Sequence, residues 1–254
     1  MKNVTGKLLL CLLLVSAVAL SSCKSEKEQD EPTKTVSPKN TKVNEVKPDP
    51  DPDPNPEMVA VEIALPKPMF VGTPQNIRIP NLEKPLGKPR LPLMAPAGTV
   101  NLALNKSITG SDEEPIIGEM DMITDGDKEA GEGSYVEFGP FLQHITVDLG
   151  QKSEIFAVLV WHFHKQPRVY KDVVVQLSND PDFITDVVTI FNNDLDNSAG
   201  LGVGSDVHYL ETFEGRLINA KGHKAQFVRL YSNGNTSSDM NHYIEVEVYG
   251  RPIK

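Results

Sequence analysis

The stretch His144-Ile145-Thr146-Val147-Asp148-Leu149-Gly150 alternates apolar and polar residues and ends at a glycine. This pattern is typical of a half-buried β-strand that runs into a turn. Residues 243–249 alternate in the same way, so that Ile244, Val246 and Val248 share one face and Glu245 and Glu247 share the other. Residues 226–231 alternate again, and apolar runs of strand length occur at residues 155–160 and 173–177.

The segments between these strands are rich in Gly, Asn, Asp and Ser, as at residues 125–127, 179–182 and 233–235. No segment carries a helical stripe of useful length, although residues 181–187 could form one or two helical turns. Short strands separated by turn residues predict an all-β sandwich or barrel, which we place at residues 99–252.

Composition divides the chain of 254 residues into two parts. Fifteen of the 20 prolines lie between Pro32 and Pro96, whereas 15 of the 16 aromatic residues lie at or after Tyr135. Residues 98–254 carry 12 basic and 24 acidic side chains, a net charge of −12. That charge argues against nucleic acid as a partner, because phosphate binding needs clustered Lys and Arg, and it favours a bound cation.

The N-terminus predicts export and a lipid anchor. Residues 8–20 are apolar except for Ser16 and follow two lysines, which is the pattern of a signal peptide over residues 1–22. The sequence Leu20-Ser21-Ser22-Cys23 resembles a bacterial lipobox, which implies lipidation of Cys23 and a lipid-anchored location in the bacterial cell envelope, at the outer membrane. The alternative is an ordinary secretory signal with an incidental cysteine. With Cys11 removed and Cys23 blocked, the mature chain would have no thiol chemistry.

Residues 23–57 predict a disordered tether, since they lack aromatic residues and contain alternating Pro and Asp. Their acidic run at residues 26–31 resembles surface-export signals of some lipoproteins, or is simply a charged spacer. Residues 58–98 remain rich in proline but alternate Val59, Val61, Ile63 and Leu65, as in a half-buried strand. We expect an extended arm that packs partly on the domain; the alternative is further linker.

Five fragments in order carry a family resemblance: residues 101–106, 124–127, 145–150, 227–231 and 244–250. Together they resemble the discoidin, or coagulation factor V/VIII C-type, domains, which include family 32 carbohydrate-binding modules of the galactose-binding-like fold. The resemblance covers about residues 100–250. It implies a jelly-roll sandwich with a structural Ca²⁺ site at one end and variable loops as a ligand face. The Thr and Trp that usually follow the Asp-Gly pair are missing from residues 128–135.

A calcium site is expected where oxygen ligands meet an irregular loop. Asp125 and Asp127 flank a glycine, and the resemblance makes Glu245 the strand-borne ligand. Ser134 and Glu129 are further candidates, and the alternative is a turn with solvated carboxylates. Residues 192–198 form a second acidic stretch, which lacks the spacing of an EF-hand and which we interpret as an exposed loop.

The candidate ligand contacts are His164, Arg168, Asn235 and His242, in or beside loops of the domain. The alternative is that these loops bond only to one another. Trp161 is the sole tryptophan and belongs more often to a core than to a sugar platform. His162 and His164 could form half of a zinc site, but no third ligand is identifiable.

The sequence contains no serine-hydrolase elbow, no His-Glu-x-x-His motif and no Walker loop. We therefore expect no enzyme. The expected function is a surface-exposed lipoprotein that binds carbohydrate or another cell-surface ligand. The alternative is a structural or assembly subunit that docks onto a protein partner without binding sugar.

Overall fold

The computed structural model describes residues 56–253, except Val71, Thr73 and Gln75. The predicted signal peptide, the lipidation site Cys23 and all but the last two residues of the tether therefore lie outside the described residues. Within the described part of the chain, no helix is long and apolar enough to cross a membrane.

Strands dominate the described residues, with a single short 3₁₀ helix among them. The 3₁₀ helix, Met120–Thr124, was not predicted, and residues 181–186 form turns and bends instead of the helical turns that we considered. The strands are β1 (Met58–Ala60), β2 (Met94–Pro96), β3 (Val100–Asn101), β4 (Ile108–Gly110), β5 (Val136–Phe138), β6 (Gln143–Trp161), β7 (Val174–Ser178), β8 (Val188–Asn192), β9 (Arg216–Ser232), β10 (Asn241–Tyr243) and β11 (Glu245–Pro252).

The two longest strands, β6 and β9, build both layers of an antiparallel sandwich. The first half of β6 pairs with β4 and with the end of β9. The end of β9 pairs in turn with β7, and β7 pairs with β8. The second half of β6 pairs with β11 and with the start of β9, and β11 pairs with β3. The main core lies between the two halves and includes Ile145 and Val147 from one and Val158 and Val160 from the other. The prediction of an all-β sandwich is confirmed.

Gly150 marks the bend in β6 and does not end the strand. The pairing with β9 shifts register between Asp148 and Ser153, and Gly150 has a φ of +80°. Glycine adopts this backbone conformation without the steric cost that a side chain adds. The two strands that we predicted on either side of residue 150 are therefore one continuous strand, which bends at Gly150 while it remains paired within the sheet.

The C-terminal alternation is interrupted at Ile244, which separates β10 from β11. Val246 and Val248 face the main core as predicted, but Tyr243 also lies in that core, whereas Ile244 lies in the second cluster. The predicted alternation placed Ile244 on the same face as Val246 and Val248, and Tyr243 on the face of Glu245 and Glu247. It was wrong because the alternation does not continue through the break between the two strands.

The arm covers the outer face of the sheet formed by β6 and β11. β1 pairs with β2, and Val61 N–H continues this pairing by donating to the Leu93 carbonyl at 2.8 Å. Apolar arm residues pack there in a second cluster with sheet residues; its members include Val61, Ile63, Leu93, Ala95, Ala157, Leu159, Trp161 and Tyr249. Trp161 has no exposed surface, and its indole N–H donates to the Phe213 carbonyl at 2.9 Å. The sole tryptophan is a core residue of this cluster.

Candidate functional site

Two loops that carry predicted ligand residues lie side by side at one end of the sandwich. Tyr170 and Asn235 form an isolated antiparallel bridge. Thr236 N–H donates to the Val169 carbonyl, and Lys171 N–H donates to the Gly234 carbonyl, both at 3.0 Å. The structure therefore brings together residues 165–171 and 233–237, as a shared ligand face would require.

The predicted ligand side chains, however, point mostly inward. His164 is fully buried, with Nε2 3.0 Å from the Lys128 carbonyl oxygen. Asn235 is 2% exposed; its Nδ2 donates to the Met240 carbonyl and its Oδ1 accepts from Ser237 N–H. For these two residues the geometry is that of the alternative, in which the loops bond to one another.

His242 is also buried, and it links two partners from distant parts of the chain. Its Nδ1 lies 2.9 Å from the Tyr170 hydroxyl and its Nε2 lies 2.9 Å from a Glu137 carboxylate oxygen. Burial lowers the pKa of His242 from 6.5 to about 3, and Arg168 and His162 act in the same direction. His242 is therefore neutral at pH 7. Its Nε2–H donates to the Glu137 carboxylate, and the Tyr170 hydroxyl donates to its Nδ1.

A second buried pair lies next to it. His162 Nδ1 is 2.6 Å from a Glu211 carboxylate oxygen, and neither side chain has exposed surface. The ring of His162 stacks on Tyr170 with the centroids 4.3 Å apart. The described residues bring no third metal-ligating side chain to His162 and His164 together, so the considered zinc half-site is not completed there. Glu211 was not found from the sequence, because nothing near it marks it as a partner of residue 162.

The fourth predicted ligand residue, Arg168, is only partly buried. Its guanidinium carbon lies 4.4 Å from the centroid of the Phe163 ring, a cation–π contact. Its backbone carbonyl accepts from Glu211 N–H at 2.9 Å. This hydrogen bond holds the loop of residues 165–171 next to the buried His162–Glu211 pair.

The open surface at this end is a groove of about 670 Å³ between the two loops and the arm. We call it the loop–arm groove. The domain side contributes polar and proline residues from both loops, and the arm contributes isoleucines and polar residues. The lining residues are Pro74, Asn76, Ile77, Arg78, Ile79, Gln166, Pro167, Lys171, Thr236 and Ser237.

The arm is fastened directly beside the groove. Leu82 forms a parallel bridge with His208, whose N–H donates to the Asn81 carbonyl at 3.0 Å. Glu83 pairs with Arg216 at 2.7 Å. These contacts hold residues 81–83 on the domain, so the adjoining residues 76–79 form one wall of the groove. The sequence predicted a packed arm but gave no indication that the arm would border the ligand face.

At the predicted calcium site, the loop of residues 125–127 contacts the start of the last strand, β11. Gly126 N–H donates to Glu245 Oε2 at 3.1 Å, and Glu245 Oε1 is buried without a hydrogen-bond partner among the described residues. An orphaned buried carboxylate oxygen is costly and is the kind of atom that a hard cation would satisfy. Burial is the main cause that raises the pKa of Glu245 to about 9. The Glu247 and Asp125 carboxylates act in the same direction.

Asp127 fits the site less closely. Its Oδ1 accepts from Glu129 N–H at 2.9 Å, and Asp125 Oδ1 accepts from Asp127 N–H at 2.7 Å. Among the described residues, Asp125, Asp127 and Glu245 do not have ligand atoms all within 4.8 Å of one another. The three predicted calcium ligands therefore do not converge on one point in this arrangement, and only Glu245 presents a buried oxygen without a hydrogen-bond partner among the described residues.

Three other carboxylates do come within 4.8 Å of one another: Asp172, Asp194 and Asp196. Asp194 is fully buried and accepts hydrogen bonds from the N–H groups of Ser198 and Ala199, at 3.0 and 2.9 Å. The interpretation of residues 192–198 as an exposed loop was wrong for Asn192, Asn193 and Asp194, which are buried. Their side chains accept hydrogen bonds from backbone N–H groups, as the Asp194 carboxylate does within the loop.

No family model matches the chain, and no curated protein matches it either. Several solved structures of carbohydrate-binding modules do. The family 32 module of AlyQ, in complex with 4,5-unsaturated mannuronic acid, is 16% identical with a TM-score of 0.41, and the match covers 56% of this chain and 92% of the module.

Two further modules give similar values. A fucose-binding module from Streptococcus pneumoniae, SpX-3, is 20% identical with a TM-score of 0.43, over 59% of this chain and 97% of that one. Chitosan-binding module 1 of a chitosanase/glucanase from Paenibacillus sp. IK-5 is 24% identical with a TM-score of 0.39, over 59% of this chain and 99% of that one.

Proposed function

We propose that this chain is a non-catalytic carbohydrate-binding protein whose ligand occupies the loop–arm groove. The single observation that carries the proposal is the groove itself, bounded by the two loops that the sequence predicts as the ligand face. Its volume of about 670 Å³ lies within the range of about 300–1,000 Å³ that is typical of small-molecule sites.

The chemistry of the lining suits a sugar. A pyranose ring presents apolar C–H faces and a rim of hydroxyls, so its site needs both apolar surface and hydrogen-bonding groups. Pro167, Ile77 and Ile79 supply apolar surface, while Gln166 and Ser237 supply donors and acceptors. The resemblance of the sequence to discoidin domains supports the same class of ligand.

A glycan array followed by calorimetric titration tests this proposal. We expect Gln166→Ala to weaken the binding of the best array ligand by about tenfold, because one or two hydrogen bonds at about 1 kcal/mol each are lost. The matched control is Gln151→Ala, since Gln151 is also an exposed glutamine but lies at the bend of β6, outside the groove lining. We expect it to bind like the wild type.

Two results would contradict the proposal. One is the absence of binding to any glycan together with co-purification of a stable protein partner, which would favour the assembly-subunit alternative. The other is glycan binding that Gln166→Ala and Gln151→Ala weaken equally, which would place the ligand elsewhere.

We also propose that Ca²⁺ binds between the loop and the last strand, held by Asp125, Asp127 and Glu245, and that its role is structural. The unpartnered Glu245 Oε1 supports this assignment. We expect added CaCl₂ to raise the melting temperature of the wild type, by an amount equivalent to about 3 kcal/mol at one hundred times the Kd. Glu245→Gln should remove that response, whereas Glu132→Gln, at an exposed glutamate, should retain it. Equal melting of the wild type in CaCl₂ and in chelator would contradict the proposal.

Finally, we propose that lipidation of Cys23 anchors the protein in the bacterial cell envelope, at the outer membrane, with the domain exposed at the cell surface. The run of residues 8–20 and the following Leu20-Ser21-Ser22-Cys23 support this. Metabolic labelling with a fatty-acid analogue should mark the wild type and Cys11→Ala but not Cys23→Ala. Protease treatment of intact cells should degrade the domain. Labelling of Cys23→Ala, or full protection of the domain, would contradict the anchor or the surface exposure, respectively.

A further inference from the structure

Only cationic side chains carry charge in the lining of the loop–arm groove. Of its lining residues, Arg78 and Lys171 are basic and none is acidic. This is unusual for its setting, because residues 98–254 carry 24 acidic side chains and 12 basic ones. A groove whose lining has the opposite sign to the surrounding surface points to a ligand of defined charge.

Neither cation forms an ion pair with another described residue. The ion pairs among the described residues include neither Arg78 nor Lys171. The acidic neighbour of Lys171, Asp172, already accepts hydrogen bonds from Ser198 and Asn233, at 2.9 and 2.8 Å. Both basic side chains of the groove are therefore available to a ligand.

The two cations come from different parts of the chain. Lys171 belongs to the loop that pairs with residues 233–236, and Arg78 belongs to the arm. The arm wall is held on the domain by the contacts of residues 81–83 with His208 and Arg216. The arm thus does more than cover the sheet, because it contributes one of the two charges that face the groove.

We propose that the loop–arm groove selects an acidic saccharide, one that carries carboxylate groups, and that Arg78 and Lys171 are the residues that determine this preference. This inference rests on the proposed carbohydrate function of the same groove. The net negative charge of the domain does not oppose it, because charges more than about 8 Å away are largely screened at physiological ionic strength, while the two cations contact the ligand directly. An arginine offers a planar pair of donors that matches a carboxylate, and a lysine adds a second point charge.

The test compares two ligands that differ only at their carboxyl groups: an oligogalacturonate and its fully methyl-esterified form, which is uncharged. Each is titrated into the full-length protein by calorimetry. We expect the acid to bind the wild type at least about tenfold more tightly than the ester, with an affinity that falls as NaCl is raised. Arg78→Gln and Lys171→Gln should each reduce the preference by several-fold, and the double variant should abolish it. Lys152→Gln, at an exposed lysine outside the groove lining, is the matched control and should keep the preference.

The possible failures are distinguishable. Binding of neutral glycans in a manner that Gln166→Ala weakens, with no preference for the acid, would overturn this inference and leave the proposed function standing. A preference for the acid that Lys152→Gln reduces as much as Arg78→Gln would also overturn it, since the selectivity would then arise from overall charge. Binding of neither the acid, nor the ester, nor any array glycan would overturn both.

Discussion

Gly215 provides a sharp test of how the arm-side core is packed, because it lies against the only tryptophan. A Cβ at position 215 would lie 2.7, 2.8 and 2.9 Å from three atoms of the Trp161 indole. The indole is buried, and its N–H is fixed by the Phe213 carbonyl. It therefore has little freedom to move away from an added methyl group.

Two costs add in Gly215→Ala. The residue has a φ of +64°, and an L-residue pays about 1–2 kcal/mol in the left-handed region. Forcing a methyl group into a packed core costs about 1–3 kcal/mol more. We expect Gly215→Ala to lose about 2–5 kcal/mol of unfolding free energy. Gly133→Ala is the matched control, since Gly133 has a φ of +84° and no atom within 4 Å of its added Cβ. It should lose only the backbone cost.

Urea unfolding followed by tryptophan emission measures both variants, since Trp161 is the single tryptophan of the chain and is buried in the folded state. In a Trp161→Leu background, followed by circular dichroism, Gly215→Ala should cost no more than the control, because the contact is gone. Equal losses for Gly215→Ala and Gly133→Ala in the wild-type background would refute the packing argument.

Three further predictions concern single polar contacts. Asn241 is fully buried and makes four hydrogen bonds, to Gly139, Phe141, Ser232 and Gly234. Asn241→Ala should therefore lower the unfolding free energy measured in urea by about 2–4 kcal/mol, and a loss under about 1 kcal/mol would contradict this. Because the folded-state pKa of His242 is lowered from 6.5 to about 3, the unfolded chain takes up this proton first, and His242 alone lowers the stability by about 2–3 kcal/mol between pH 7 and pH 4.5. Burial also lowers the pKa of His144 to about 4, so His242→Gln should reduce the pH dependence by about that amount without removing it, and an unchanged dependence would contradict this. Glu83→Gln should cost less than about 1 kcal/mol by thermal melting, because its ion pair with Arg216 is partly exposed and the backbone contacts of residues 81–83 with His208 remain. A loss above about 2 kcal/mol would contradict this.

The sequence predicted the β-layers well because alternation is a local property. The apolar residues of the two alternating stretches face the main core as their pattern indicates; they are Ile145, Val147, Leu149, Val246 and Val248. The pattern failed where a strand bends or breaks, at Gly150 and at Ile244. A bend inside a sheet depends on the pairing of distant strands, and a glycine can signal either that bend or a turn.

The arm was predicted less completely. The alternation of Val59, Val61, Ile63 and Leu65 indicated a buried side. The first three residues are half-buried, but Leu65 is exposed, so the prediction was wrong for Leu65. Their pairing partner, Met94–Pro96, has no strand pattern of its own and contains a proline. The two segments pair because both pack against the same sheet. The local sequence of residues 94–96 does not indicate that contact.

At the candidate site too, local features were predicted from the sequence and contacts between distant residues were not. The sequence identified the two loops, and the structure pairs them. It could not give the direction of their side chains, because the partners that turn His162 and His242 inward are Glu211 and Glu137, which are remote in sequence. For the same reason, local patterns do not indicate that Arg78 of the arm lines the same groove as Lys171.

The most direct test of the account is a crystal structure of the protein with a bound oligosaccharide that the array identifies. We predict density for the sugar in the loop–arm groove, with Gln166 hydrogen-bonded to a ring hydroxyl and Arg78 or Lys171 within about 3 Å of a carboxylate where the sugar carries one. Density on any other surface, with the groove free of sugar, would contradict the account.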